Sequence, residues 1–457
     1  VQAARVQVFQ GDFFLGRGAL VTQADGHRRY TYSPRVLEAA QSIPRGTIYD
    51  RNGIPLASDS AELLRSYRAH YARMGVDLED VLRRGGSRFY PFGALTFHLL
   101  GDARSRLNWG ASNSSYVERE LNSVLQGYDS RDVVARVKDR PNGPEHLALR
   151  RDLRELVPLV RYRYRPDKKA VRDILDRNRD VHISVDIRLQ AKVAAIMDQR
   201  ITASGTKHGA AVVLDPETGD LLASVSHPWR DVARAQEIIG RSETIPDNRQ
   251  LIESLLDKAR FGLYPPGSSF KLVTSIAAYA SRPDAHEVRY ECRRLPDGRV
   301  GNYVRGWGRP IRDDILDRHP HGSVDMERGL VLSCNAYFAQ LGKFAVGAQR
   351  LLDAAARFGI RVAVPNTVKQ LNDALPQASY GQGQVVASPL QMARVAAAIG
   401  NGGSILPVRI DLRSAVPAPD SCLTSQQAAI LSRHLRRAVT EGTGTAAAGS
   451  SVPVAGK

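Results

Sequence analysis

Ser268 and Lys271 are the residues of this chain best placed to do covalent chemistry. They lie in Pro265-Pro266-Gly267-Ser268-Ser269-Phe270-Lys271, a turn that runs into an apolar stretch. Phe270, Leu272, Val273, Ile276 and Ala277 recur with helical period, which predicts a largely buried helix over residues 268–280. The Pro-Pro-Gly ahead of it breaks any earlier element and sets the entry angle. At i and i+3, Ser268 and Lys271 share a helix face, whereas Ser269 and Lys271, at i and i+2, point apart. A lysine among apolar groups loses hydration, which favours its neutral amine. A neutral amine can take the proton of a nearby hydroxyl, so the pair reads as a serine nucleophile with a lysine base.

The spacing S-x-x-K is weak by itself, since roughly two matches arise by chance in a chain this long. A second one, Ser204-Gly205-Thr206-Lys207, sits in a polar, Gly-flanked stretch that reads as a loop. What strengthens Ser268 is the order of motifs. Ser333-Cys334-Asn335 opens a helix-like run, and Val452-Pro453-Val454-Ala455-Gly456-Lys457 is a strand-like run ending on a lysine. S-x-x-K, then S-x-N, then K-T-G is the motif set of penicillin-binding proteins and serine β-lactamases, and here the third motif is represented by Lys457.

Longer stretches extend the likeness. Pro44-Arg45-Gly46-Thr47-Ile48-Tyr49-Asp50-Arg51-Asn52-Gly53, with Pro55-Leu56-Ala57, resembles the N-terminal signature of class B penicillin-binding proteins. So do Tyr90-Pro91-Phe92-Gly93 with Leu99-Leu100-Gly101, and the segment 118–127. Residues 209–219 resemble the family's entry into its transpeptidase sheet. Tyr380-Gly381-Gln382-Gly383 with Ser388-Pro389-Leu390-Gln391 resembles a segment between the second and third motifs.

The resemblance implies an α+β chain of two domains. An elongated N-terminal pedestal, dimerisation-like, is expected over residues 1–175. A penicillin-binding transpeptidase domain is expected over 176–457, an antiparallel sheet flanked by helices and incomplete at its C-terminal end. The implied reaction is peptidoglycan D,D-transpeptidation: Ser268 attacks the carbonyl between two terminal D-alanines of a stem peptide, and D-alanine leaves. By the same resemblance Lys271 accepts the Ser268 proton, and Ser333 relays a proton to the leaving amine, assisted by Lys457. Asn335 positions Lys271 and the substrate amide, and Lys457 attracts the terminal carboxylate. The oxyanion hole would combine the Ser268 N–H with one beyond Lys457. Neither a metal nor an organic cofactor is implied. The implied partners are stem peptides of a lipid-linked precursor, β-lactams as inhibitors, and a membrane glycan polymerase. The implied location is the extracytoplasmic face of the inner membrane, held by an anchor preceding Val1. Septal and lateral-wall machines share these motifs and are not told apart.

Two other readings keep the fold. A serine β-lactamase of class A activates water with a Glu between the second and third motifs, but residues 343–387 contain no Glu. Nor has a lactamase any use for the first 180 residues. A non-catalytic β-lactam sensor or scaffold would show slow, unreleased acylation without cross-linking.

Composition adds limits. The net charge is +17, and basic residues crowd between residues 131 and 179, including Arg161-Tyr162-Arg163-Tyr164-Arg165. Asp and Glu alternate with these arginines, so the stretch reads as a solvated connector, with anionic lipid the next reading and nucleic acid the last. No apolar run approaches the roughly 18 residues of a membrane span. Cys292, Cys334 and Cys422 lack C-x-x-C spacing and read as buried free thiols. His98, His208 and His321 read as surface or turn residues. Residues 47–58 predict a hairpin around Asn52-Gly53, 60–85 and 145–180 are helical in pattern, and 187–201 has helical period. A further hairpin is expected around Pro216-Glu217-Thr218-Gly219. The family's sheet has strands beyond the third motif, so a polypeptide ending at Lys457 should aggregate and fail to bind penicillin. Stoichiometric labelling of that polypeptide by a fluorescent penicillin would count against the expectation.

Overall fold

The computed structural model describes residues 15–101, 103, 117–131, 133–143, 145–229 and 256–457. The chain divides into two compact units, one of residues 1–195, 228–257 and 411–413, the other of 196–227, 258–410 and 414–457.

In the first unit, β1 (Ala19–Thr22) pairs antiparallel with β2 (Arg28–Thr31), and α1 (Pro34–Ser42) follows. β3 (Ile48–Tyr49) pairs antiparallel with β4 (Pro55–Ala57) and parallel with β7 (Val181–His182). Between β3 and β4 the chain turns as expected. The Gly53 N–H donates to the Asp50 carbonyl at 3.1 Å, and Gly53 takes a φ of +78° that suits glycine. The Asp50 carboxylate accepts from the Asn52 and Ile54 N–H groups, both at 2.8 Å. β5 (Val133–Lys138) and β6 (Glu145–Arg150) form another antiparallel pair. The stretch 145–180 is therefore not helical throughout. Its first six residues have apolar residues at alternate positions 147 and 149, a strand period that the surrounding charge obscures.

A buried ionic network holds this unit's signature residues. Glu118 lies between Arg45, whose Nε donates to it at 2.7 Å, and Arg88, whose Nε donates to its other oxygen. Arg45 also donates to Asn122 Oδ1, and Arg88 to Asp59 and the Gly46 carbonyl. Burial alone would raise the Glu118 pKa, but Arg88 and Arg45 outweigh it and hold the carboxyl below its ordinary value.

The chain passes from the first unit to the second within α2 (Ile187–Ser204). Ser204 ends this helix instead of lying in a loop, and its exposed hydroxyl donates to the Ile201 carbonyl at 3.2 Å. β8 (Gly209–Leu214) and β9 (Leu221–His227) then form the expected antiparallel hairpin. α3 (Lys271–Ser281) is buried on nearly every side. A small sheet of β10 (Tyr290–Arg294), β11 (Val300–Asn302), β12 (Ile311–Arg312) and β13 (Gly322–Val324) has the order β12-β11-β10-β13. α4 (Met326–Val331) and α5 (Asn335–Leu341) follow it, with α6 (Ala348–Arg357), α7 (Pro389–Gly400) and α8 (Ser425–Glu441) beyond. Ser388 with Gln391, and Thr424 with Gln427, close capping boxes that start α7 and α8. Phe270, Val273, Ile276, Tyr337, Phe338 and Leu341 belong to one buried core, so α3 and α5 are set by the same packing. Among the described residues no helix is long and apolar enough to cross a membrane.

Glu118→Gln should remove the buried one of the two carboxylates that pair with the nearly fully buried Arg88, leaving the partly exposed Asp59. Breaking such a pair on one side costs about 3–5 kcal/mol. Urea unfolding of the variant should show a loss of that order, largest near neutral pH and shrinking in acid as the wild-type carboxyl protonates.

Candidate active site

The helix expected from residue 268 is preceded by a tighter turn. Gly267–Phe270 is a single 3-10 turn, and regular α-helix begins at Lys271. Gly267 has a φ of +56°, which lets the chain leave the Pro-Pro turn without strain. Residues i and i+3 eclipse in a 3-10 turn, which brings Ser268 over Lys271 more directly than an α-helix would. Lys271 Nζ lies 3.0 Å from Ser268 Oγ. Ser269 turns away, donating to the Pro266 carbonyl at 2.7 Å.

Ser333 and Asn335 complete the surroundings of the lysine. Ser333 Oγ lies 2.9 Å from Ser268 Oγ and 3.2 Å from Lys271 Nζ. Nζ also contacts the Ser333 carbonyl, and it lies 2.8 Å from Asn335 Oδ1. Asn335 Nδ2 donates to the Arg312 carbonyl at 3.0 Å; since a carbonyl only accepts, this turns Oδ1 toward the lysine. Ser333 has a φ of +57°, a left-handed backbone that is costly for a residue with a side chain. That twist aims both its carbonyl and its hydroxyl at Nζ. Such local strain clusters at functional sites.

Lys271 is fully buried. Burial first, then the nearby charge of Lys457, lowers its pKa from 10.5 to about 7. Lys457 belongs to the same neighbourhood: its Nζ donates to the Leu330 carbonyl at 3.0 Å, and burial lowers its pKa to about 8. All five residues singled out from the motifs therefore stand together in one unit.

Other supports have no short motif to announce them. Asp313 is buried and accepts from the backbone N–H groups of Asn335 and Ala336 at the start of α5. Its other oxygen accepts from Cys292 Sγ at 3.1 Å and Cys334 Sγ at 3.3 Å. His321 Nδ1 lies 3.5 Å from both Cys292 Sγ and Asp313. Ligand atoms of Cys292, Asp313, His321 and Cys334 all fall within 4.8 Å of one another, a donor set suited to a tetrahedral ion such as zinc. The cysteines are 42 positions apart, so folding rather than C-x-x-C spacing joins them. His321 is thus a buried residue and not a surface one. His98, buried on the helix Ala94–Leu100, departs from expectation in the same way, while His208 is exposed as expected.

Tyr380-Gly381 packs against the nucleophile turn. The Gly267 N–H donates to the Gly381 carbonyl at 3.1 Å, and a Cβ on Gly381 would lie 2.1 Å from the Gly267 oxygen.

The penicillin-binding protein transpeptidase domain model matches residues 209–457. The chain belongs to the penicillin-binding protein transpeptidase family. Within it, the relatives are of the class B kind that the N-terminal signatures resemble. The peptidoglycan D,D-transpeptidase PbpA of Mycobacterium tuberculosis is 31% identical over 268 residues, covering 53% of this chain and 50% of its own. Penicillin-binding protein 3 of Bacillus subtilis is 24% identical over 421 residues, covering 89% of this chain and 58% of its own. The chain thus spans about half the length of the curated relatives it matches. Among solved structures, PBP2 of Helicobacter pylori aligns with a TM-score of 0.60 at 18% identity, covering 90% of this chain and 88% of that one. Penicillin-binding protein A of M. tuberculosis, as its penicillin G acyl-enzyme, aligns at 0.56 and 23%, covering 87% and 83%. These structural matches carry the mixed helix-and-sheet fold.

Gly381→Ala should push the turn carrying Ser268 out of register with Lys271. Displacements near 1 Å cost on the order of a hundredfold. Acylation by penicillin, followed in the full-length protein, should slow by at least about tenfold while circular dichroism stays unchanged.

Proposed function

We propose that this class B penicillin-binding protein is a peptidoglycan D,D-transpeptidase, with Ser268 as nucleophile and Lys271 as its base. The observation that carries the reading is the single buried amine within 3.2 Å of both the Ser268 and the Ser333 hydroxyls. The neutral amine has two N–H groups and one lone pair. The Ser333 carbonyl and Asn335 Oδ1 can only accept, so they take the two hydrogens and leave the lone pair for the Ser268 proton.

Attack of Ser268 Oγ on the penultimate D-alanine carbonyl of a stem peptide forms the tetrahedral intermediate and leaves Lys271 protonated. Collapse needs a proton on the leaving amine. The line from Lys271 through Ser333 Oγ supplies it, and an acyl-enzyme and free D-alanine result. Lys457, whose pKa stays above that of Lys271, keeps its charge more fully near neutrality and attracts the substrate's terminal carboxylate. The amine of a second stem peptide then resolves the ester and makes the cross-link. β-Lactams present a strained amide to the same hydroxyl. The transpeptidase domain is assigned to residues 176–457 and the pedestal to 1–175, with a membrane glycan polymerase as partner at the extracytoplasmic face of the membrane. The motif resemblance over the chain supports that assignment.

The acylation rate of the full-length protein should follow the neutral amine of Lys271, rising through about pH 7, and should fall again above about pH 8 as Lys457 loses the charge that attracts the carboxylate. Lys271→Arg should abolish acylation, because guanidinium stays protonated at every pH of the assay. A flat pH profile would remove the lysine from the role of base. Arg45→Ala, in the N-terminal network, should leave the acylation rate within about threefold while impairing growth. A collapse of acylation in that variant would make the first unit part of the active site.

A further inference from the structure

In the first unit, far in sequence from the catalytic motifs, His27, Asp139 and His146 converge. His27 lies in the turn between β1 and β2, Asp139 directly follows β5, and His146 lies on β6. One ligand atom of each falls within 4.8 Å of the others. Asp139 Oδ1 accepts from the Arg28 backbone N–H at 2.7 Å, and Oδ2 lies 2.8 Å from His27 Nδ1. His146 Nε2 lies 3.0 Å from the Arg28 carbonyl oxygen. A carbonyl only accepts, so Nε2 carries the hydrogen. In the neutral ring Nδ1 is then a bare lone pair. Among the described residues that buried atom has no hydrogen-bond partner, and Asp139 Oδ1, which also accepts from the Arg28 N–H, faces it at 3.5 Å. Two opposed lone pairs of this kind call for a cation between them.

We propose that His27, Asp139 and His146 bind a divalent transition metal of the zinc class. Nitrogen and oxygen ligands stand about 2.0–2.2 Å from tetrahedral zinc, which sets neighbouring ligand atoms about 3.3–3.5 Å apart. His27 Nδ1 lies 2.8 Å from Asp139 Oδ2 and His146 Nδ1 lies 3.5 Å from Oδ1, so a rotation of the carboxylate would bring one of its oxygens to that spacing from both nitrogens. The Nε2–H bond to the Arg28 carbonyl is the outer contact that orients a ligating imidazole. His27 is more than half exposed and would leave the fourth position to water. Two-stranded hairpins are marginal by themselves in water. The ion would act as a clamp, joining the β1–β2 hairpin to the β5–β6 hairpin.

The test uses the full chain, stripped with a chelator, dialysed, and titrated with zinc chloride near neutral pH beside His146→Gln and His27→Ala. Glutamine keeps an N–H for the Arg28 carbonyl and His27 lies at the surface, so both variants should stay folded; circular dichroism checks this. The Cys292 set also carries zinc donors, so the reading is the difference between each variant and the wild type in metal bound per chain. Each variant should bind one ion fewer, or bind that ion at least about tenfold more weakly. Zinc should also slow proteolysis within residues 19–31 in the wild type only. Equal stoichiometry and affinity in all three proteins would overturn the proposal.

Discussion

The site depends on burying a lysine as an amine. Moving the Lys271 pKa from 10.5 to about 7 costs about 1.4 kcal/mol per unit. A single buried Ile or Phe contributes only about 1.5–3 kcal/mol, so one apolar neighbour does not cover it. The continuous packing of α3 with α5 does, and the same packing excludes the water that would restore the ammonium. The chemistry and the core are therefore one construction. A looser core would rehydrate Lys271 and return it to its charged form.

The partners of the lysine come from a backbone that is itself under constraint. Ser333 adopts a left-handed φ, and α5 begins two residues later with its first N–H groups held by Asp313. Asp313 in turn touches Cys292, Cys334 and His321. The second motif is thus supported from beneath by a polar cluster, which fixes where Asn335 Oδ1 stands relative to Nζ. The Arg45–Glu118–Arg88 network plays a comparable part in the other unit, where charge pairing adds to the apolar packing of Ile48 and Leu56 on β3 and β4.

Much of this was legible in the sequence. The apolar period after Phe270 and the i, i+3 spacing placed Ser268 on Lys271, and Asp50 to Gly53 formed the expected turn. The 3-10 character of residues 267–270 was not legible, because it arises from the positive φ of Gly267 and the contact with Gly381. The cluster around Asp313 was hidden for another reason. Its members come from β10, the residue after β12, the residue before β13 and the residue that caps α5, and no local pattern links such positions. The strand over 145–150 was masked by charge, since a two-residue apolar alternation is a faint signal in an arginine-rich stretch.

The assignment of nucleophile and base is tested most directly by locating the penicillin adduct. The full-length protein and its Ser268→Ala and Ser269→Ala variants are treated with penicillin, digested, and the peptide spanning 261–280 is sequenced by mass spectrometry. The geometry predicts a penicilloyl group on Ser268, absent in Ser268→Ala and retained in Ser269→Ala. An adduct that persists in Ser268→Ala and disappears in Ser269→Ala would contradict it.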